Sequence, residues 1–132
     1  MTAPTQKVRL DTYRRDGDRC ITCGVPARLE WNHRQSSGMG GSKYKPCPAD
    51  GVTSCWQCNP AYESYLQQKA LECGWKVRRF CPIPVENVPV WYPADRAWFL
   101  LDRFGARDRL DQVTADELRA LAGILPVLKG GD

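Results

Sequence analysis

The sequence lacks any long apolar run, and nowhere do its 132 residues approach the ~20 consecutive hydrophobic positions that a bilayer-spanning helix requires. Its opening, MTAPTQKVRLDTYRR, has no apolar stretch of the kind a secretion signal carries. No internal repeat or low-complexity tract is evident, which argues against a repeat array and a mostly disordered chain. Histidine is scarce, with one copy, so any imidazole chemistry must fall on His33. Cysteine is the residue in excess, yet its number, seven, is odd and cannot close into a full set of disulfides. These features exclude a membrane span and the usual secreted disulfide framework. They favour a single cytoplasmic domain with metal-bound thiolates, long enough to bury about two-thirds of its unfolded surface.

Charge is modest overall and unevenly spread. Lys and Arg outnumber Asp and Glu by 19 to 15, a net +4. Residues 1–80 hold 13 basic against 7 acidic side chains (+6), whereas 81–132 hold 6 against 8 (−2). A positive N-terminal two-thirds suits a polyanionic partner such as DNA, and equally a solvated basic face.

Local signals divide the chain near residue 81, into a core over 1–80 and an extension over 81–132. A short helix is expected over 6–16, stopped by Gly17, and Cys20 and Cys23 flank a tight turn. Short strands are expected over 27–31 and 52–54, separated by a Gly- and Pro-rich loop over 34–51. Asn59 as a cap, Pro60 at the first turn and Gly74 as a stop predict a helix over 60–73, with Tyr62, Leu66, Ala70 and Cys73 on its buried face. Residues 75–80, 88–92 and 96–102 are β-prone. Thr114 and Glu117 form a capping-box pattern, predicting a C-terminal helix whose face of Leu118, Leu121, Ala122 and Leu125 packs on the body or on a protein partner.

The strongest chemical signal is a pair of C-x2-C motifs, Cys20/Cys23 and Cys55/Cys58. Together they supply four thiolates, the tetrahedral donor set of structural zinc, which would clamp two remote segments of a small domain. A redox pair would need only one motif and a βαβ setting that is missing here. Cys73 reads as a small core residue. Trp31 and Trp56 beside the knuckles read as core residues before base-stacking ones.

The runs RDGDRC-x2-CG, NHR-x3-GMGGS and C-x2-C-N-P, the last leading into a helix, together resemble an HNH endonuclease of the kind found in bacteriophages and mobile elements. The resemblance covers roughly residues 13–102. It implies an α+β chain with a small zinc-stabilised ββα-metal (His-Me finger) core, extra short strands and a C-terminal helix. It further implies His33 as the general base, Asn32 and Asn59 as ligands of a catalytic Mg²⁺ or Mn²⁺, and Asp50 in place of the loop-orienting Asn. The pattern thus departs from the family's letters and is nearest its HNN variant. Arg34, Gly40, Gly41, Lys43 and Lys45 would contact DNA phosphates, with Arg34 as a forked phosphate clamp. Activity would be metal-dependent hydrolysis of DNA phosphodiesters, in the host cytoplasm if the chain is phage-encoded. The alternatives are a zinc-ordered DNA-binding module without catalysis and a protein-interaction factor on the same scaffold.

Overall fold

In a computed structural model, which describes residues 3–36 and 45–124, the chain is a mixture of short helices and strands. Helix α1 (Gln6–Arg15) is capped by Thr5, whose hydroxyl accepts from Val8 N, and it ends where Gly17 turns left-handed (φ 79°). Strands β1 (Leu29–His33) and β2 (Gly51–Cys55) pair antiparallel, Leu29 opposite Cys55 and His33 opposite Gly51. The hairpin begins two residues later in β1 than the sequence indicates, because Asn32 and His33 pair with Val52 and Gly51. Gly51 has no substitute there: a Cβ would lie 2.1 Å from the Trp31 indole, which rests on its backbone.

The helix expected over 60–73 is divided. Helix α2 (Cys58–Ala61) starts at the metal-type knuckle, so Asn59 lies inside its first turn and not at its cap. A turn follows, and α3 (Gln67–Glu72) resumes the helix. Two side-chain bonds mark the interruption: the Ser64 hydroxyl donates back to Ala61 O, and the Tyr62 phenol is held 2.5 Å from Thr22 Oγ1, forty residues away. The expected face survives the break, with Tyr62 and Ala70 buried and Leu66 and Cys73 packed against them. Gly74 then ends α3 at φ 76°, where a Cβ would strike Pro89 O at 2.0 Å.

Residues 75–80 do not form a strand. Only Val77 bridges, to Gln35, while Gly74 O is taken by the Arg34 guanidinium. Strands β3 (Val90–Tyr92), β4 (Ala97–Leu101) and β5 (Arg107–Leu110) form an antiparallel sheet in that order. Helix α4 (Gln112–Leu121) is capped by Asp111, which accepts from Thr114 N at 2.7 Å. Thr114 is therefore inside the helix, and the buried face is Ala115, Arg119 and Ala122; Leu121 is exposed and Leu125 lies outside the described residues.

One buried cluster runs from Cys20 and Ile21 through Val52, Tyr62 and Trp75 to Tyr92, Phe99 and Leu101, so it draws on both sides of residue 81. A polar keystone reinforces it. The Asp16 carboxylate accepts from Arg15, from Thr53 N at 2.9 Å and from the Tyr92 hydroxyl, tying α1 to β2 and β3. No described helix is long and apolar enough to cross a membrane.

Candidate metal centre and histidine cleft

The two C-x2-C motifs meet. The turn after α1 brings Cys20 and Cys23 against the end of β2 and the start of α2, where Cys55 and Cys58 sit. Hydrogen bonds from Cys20 N to Val25 O and from Gly24 N to Cys20 O shape the first knuckle, and Cys58 N donates to Cys55 Sγ in the second. All four sulfurs lie within 4.8 Å of one another. Cys23 Sγ and Cys55 Sγ are 3.7 Å apart. A tetrahedron with Zn–S bonds of about 2.3 Å has sulfur–sulfur edges of about 3.8 Å, so the spacing suits a structural zinc. Burial, with the neighbouring Cys20, pushes the Cys58 thiol pKa up, and burial likewise raises Cys23. At Cys55 burial acts the same way, but the N–H groups of Cys58 and Gln57 outweigh it and draw the thiol down. Four crowded thiols ionise together only when a cation offsets their mutual repulsion.

The hairpin carries the remaining candidate residues at staggered positions. His33 ends β1 and is half-buried, its ring packed edge-on against Trp31 at 4.9 Å. Burial lowers its pKa below 6.5, Lys76 adds to that, and Asp50 opposes it. The shift favours the neutral imidazole, the form that accepts a proton. Asn32 is 1% exposed; its amide N–H donates to Trp75 O, and its Oδ1 is buried with no hydrogen-bond partner. Asn59 donates to Glu30 Oε1 at 2.8 Å. Asp50, also buried, accepts from Cys47 N and closes the short 3-10 turn Pro48–Asp50. The hydrogen bonds of Asn32, Asp50 and Asn59 therefore run to three different partners.

Arg34 departs from its expected role. Its guanidinium is buried and donates to the carbonyls of Gly74, Ala49, Val85 and Val88 at 2.9–3.1 Å. Burial, with the charge of Arg15, lowers its pKa to about 10. This side chain knits the loops behind the hairpin and presents no fork to a phosphate. Lys45 is exposed, while Gly40, Gly41 and Lys43 lie outside the described residues.

Residues that the sequence reading passed over occupy the arginine's expected place. A cleft of about 350 Å³ opens beside His33, lined among others by Glu63, Gln67, Lys76 and Arg78. Lys76 Nζ donates to His33 O at 2.8 Å and lies 3.3 Å from Glu63 Oε1. The Gly74 turn delivers Lys76 and Arg78, and Arg78 belongs to no motif. Glu30 was legible in principle, since strand alternation sets it on the same face as Asn32. Comparison with family models, with curated proteins and with solved structures finds no match to this chain.

Proposed function

We propose that this chain is a metal-dependent DNA endonuclease of the ββα-metal (HNH) type, with the four cysteines holding a structural zinc. The observation that carries the reading is His33: a half-buried imidazole, its pKa lowered by burial, at the end of β1, on a hairpin that carries the cysteine cluster at its other end and is followed by a helix, opening on a cleft lined by Lys76 and Arg78. A structural zinc beneath the hairpin would give that histidine a rigid base.

The hairpin carries oxygen donors of the type that a hard divalent cation such as Mg²⁺ or Mn²⁺ takes. Asn32 Oδ1 is an orphan acceptor, and the Asn59 amide adjoins the Glu30 carboxylate, which would supply the negative charge that two amides lack. Such an ion, when bound, stabilises charge developing on the phosphate and its leaving oxygen. The protein's own groups do the rest. Lys76 and Arg78 draw a phosphate into the cleft, and Asp50 holds the turn that follows the loop. His33 takes a proton from water as its oxygen bonds to phosphorus; the bond to the 3′ oxygen breaks, and that oxygen gains a proton from solvent.

Supercoiled plasmid incubated with Mg²⁺ or Mn²⁺ is the direct test. His33→Ala, with its metal content unchanged, should slow cleavage at least ~100-fold. Undiminished cleavage in that variant removes His33 from the mechanism. A second reading, a DNA-binding module without catalysis, is favoured by the commitment of Asn32 and Asn59 to internal hydrogen bonds. It expects salt-sensitive DNA retention and no cleavage with either metal.

A further inference from the structure

The two tryptophans flanking the hairpin have opposite fates. Trp31 is buried and its indole N–H donates to Thr12, as a core residue should. Trp56, between Cys55 and Cys58, is 47% exposed. An aromatic of this size normally buries most of its surface, so leaving it outward on the most tightly constrained turn of the chain is costly. The turn does not let the ring retreat: Cys55 and Cys58 both belong to the sulfur cluster, and Trp56 N is fixed to Arg28 O at 3.1 Å.

Arg28 is unusual in its own right. It is a non-glycine residue in left-handed backbone (φ 54°), and its guanidinium lies 5.3 Å from the Trp56 ring centroid. Backbone of this kind persists where the surroundings enforce it and is concentrated at binding sites. A rigid exposed indole beside a cation that can reach a phosphate matches the chemistry of an unpaired nucleobase with its backbone charge. A purely apolar protein partner would not use the arginine.

We infer that Trp56 and Arg28 form a stacking site for an unpaired base of single-stranded DNA, at the opposite end of the hairpin from His33. The inference rests on the reading of DNA as substrate. Cys55 pairs with Leu29 and Gly51 with His33, so four strand steps, about 13 Å, separate the two ends. The site therefore holds a base a few nucleotides from the bond presented to the histidine.

The test is fluorescence-anisotropy titration of labelled oligothymidylate, and of a blunt duplex of equal length, with full-length protein and no added Mg²⁺ or Mn²⁺. Trp56→Ala should weaken oligothymidylate binding on the order of tenfold and leave duplex binding within twofold, while Trp56→Phe retains most of the affinity. Arg28→Gly, which tolerates the left-handed backbone, should lower the salt dependence by about one phosphate contact. Unchanged single-strand affinity in Trp56→Ala, equal loss on both ligands, or no oligothymidylate binding by the wild type would each overturn the site. Plasmid cleavage by the same proteins is scored separately. Cleavage that persists while the stacking effect is absent discards the site alone, and loss of all DNA binding discards both readings.

Discussion

The hairpin half and the three-stranded half of this molecule are stabilised in different ways. Among the described residues, seven of the eight buried polar ones, Thr12, Asp16, Asn32, Arg34, Asp50, Thr53 and Ser54, precede Cys55, and only Arg119 lies beyond it. The hairpin side is thus built from directional contacts: a four-sulfur cluster, an aspartate keystone and an arginine bonded to four carbonyls. The sheet side relies on aromatic area, with Trp91 against Trp98, Tyr92 against Phe99, and Arg107 and Arg119 stacked over those rings. Directional contacts hold a few atoms in place where area alone permits sliding. The half that carries His33 is the half that uses them.

The contrast is broken most severely by removing metal. Chelation, or Cys55→Ser, should abolish cooperative unfolding of the hairpin side, a loss comparable to the whole ~5–15 kcal/mol of a domain this size. Far-UV circular dichroism and thermal melting with and without chelator read it. An apo protein that melts like the untreated one would place the sulfur cluster outside the stability account.

Next come two of the buried charges. Asp16→Asn should cost about 3–5 kcal/mol, because Arg15 is left buried without its anion and the amide keeps an acceptor for only one of Tyr92 and Thr53. Arg34→Ala should cost about 3 kcal/mol or more by orphaning carbonyls, and under the proposed nuclease reading its DNA affinity, once refolded, should match the wild type. Denaturant titration gives both stabilities. A stable Arg34→Ala protein that has lost DNA binding would restore the arginine to the surface role that its sequence position suggested.

pH provides a finer probe. The folded His33 pKa lies below the unfolded value of about 6.5, so the unfolded chain binds this proton more readily. The contribution from His33 is therefore fully present above pH ~6.5 and declines as pH falls toward the folded value. Replacing His33 with Gln should flatten that part of the stability–pH curve, measured by denaturant midpoints. The smallest effect is expected on the sheet side, where Leu121→Gln on the exposed face of α4 should change stability by less than ~0.5 kcal/mol.

Much of the local structure was legible because its signals are short-range. Thr5 and Gly17 bound α1, Gly74 ends α3, and the paired C-x2-C motifs mark the sulfur cluster. What escaped depends partly on turn and cap bonds that no motif marks and partly on contacts distant in sequence. Strand β5, with the charged sequence RDRL, has no apolar alternation and forms because Asp102 accepts from Phe104 N and Ala106 N to close its turn. The α4 cap was placed three residues late, since Asp111 and Thr114 both suit the position and only Asp111 bonds back. Arg34 was the largest misreading. A basic residue beside a histidine suggests phosphate, whereas four carbonyls from residues 49, 74, 85 and 88 enclose it. Arg78, which lines the His33 cleft, carries no motif at all.

Zinc X-ray absorption on the purified full-length protein addresses the centre of this account. One zinc per chain with four sulfur neighbours at about 2.3 Å is the result expected of Cys20, Cys23, Cys55 and Cys58. A metal-free protein with these cysteines joined in disulfides, or a zinc bound through nitrogen and oxygen, would contradict it.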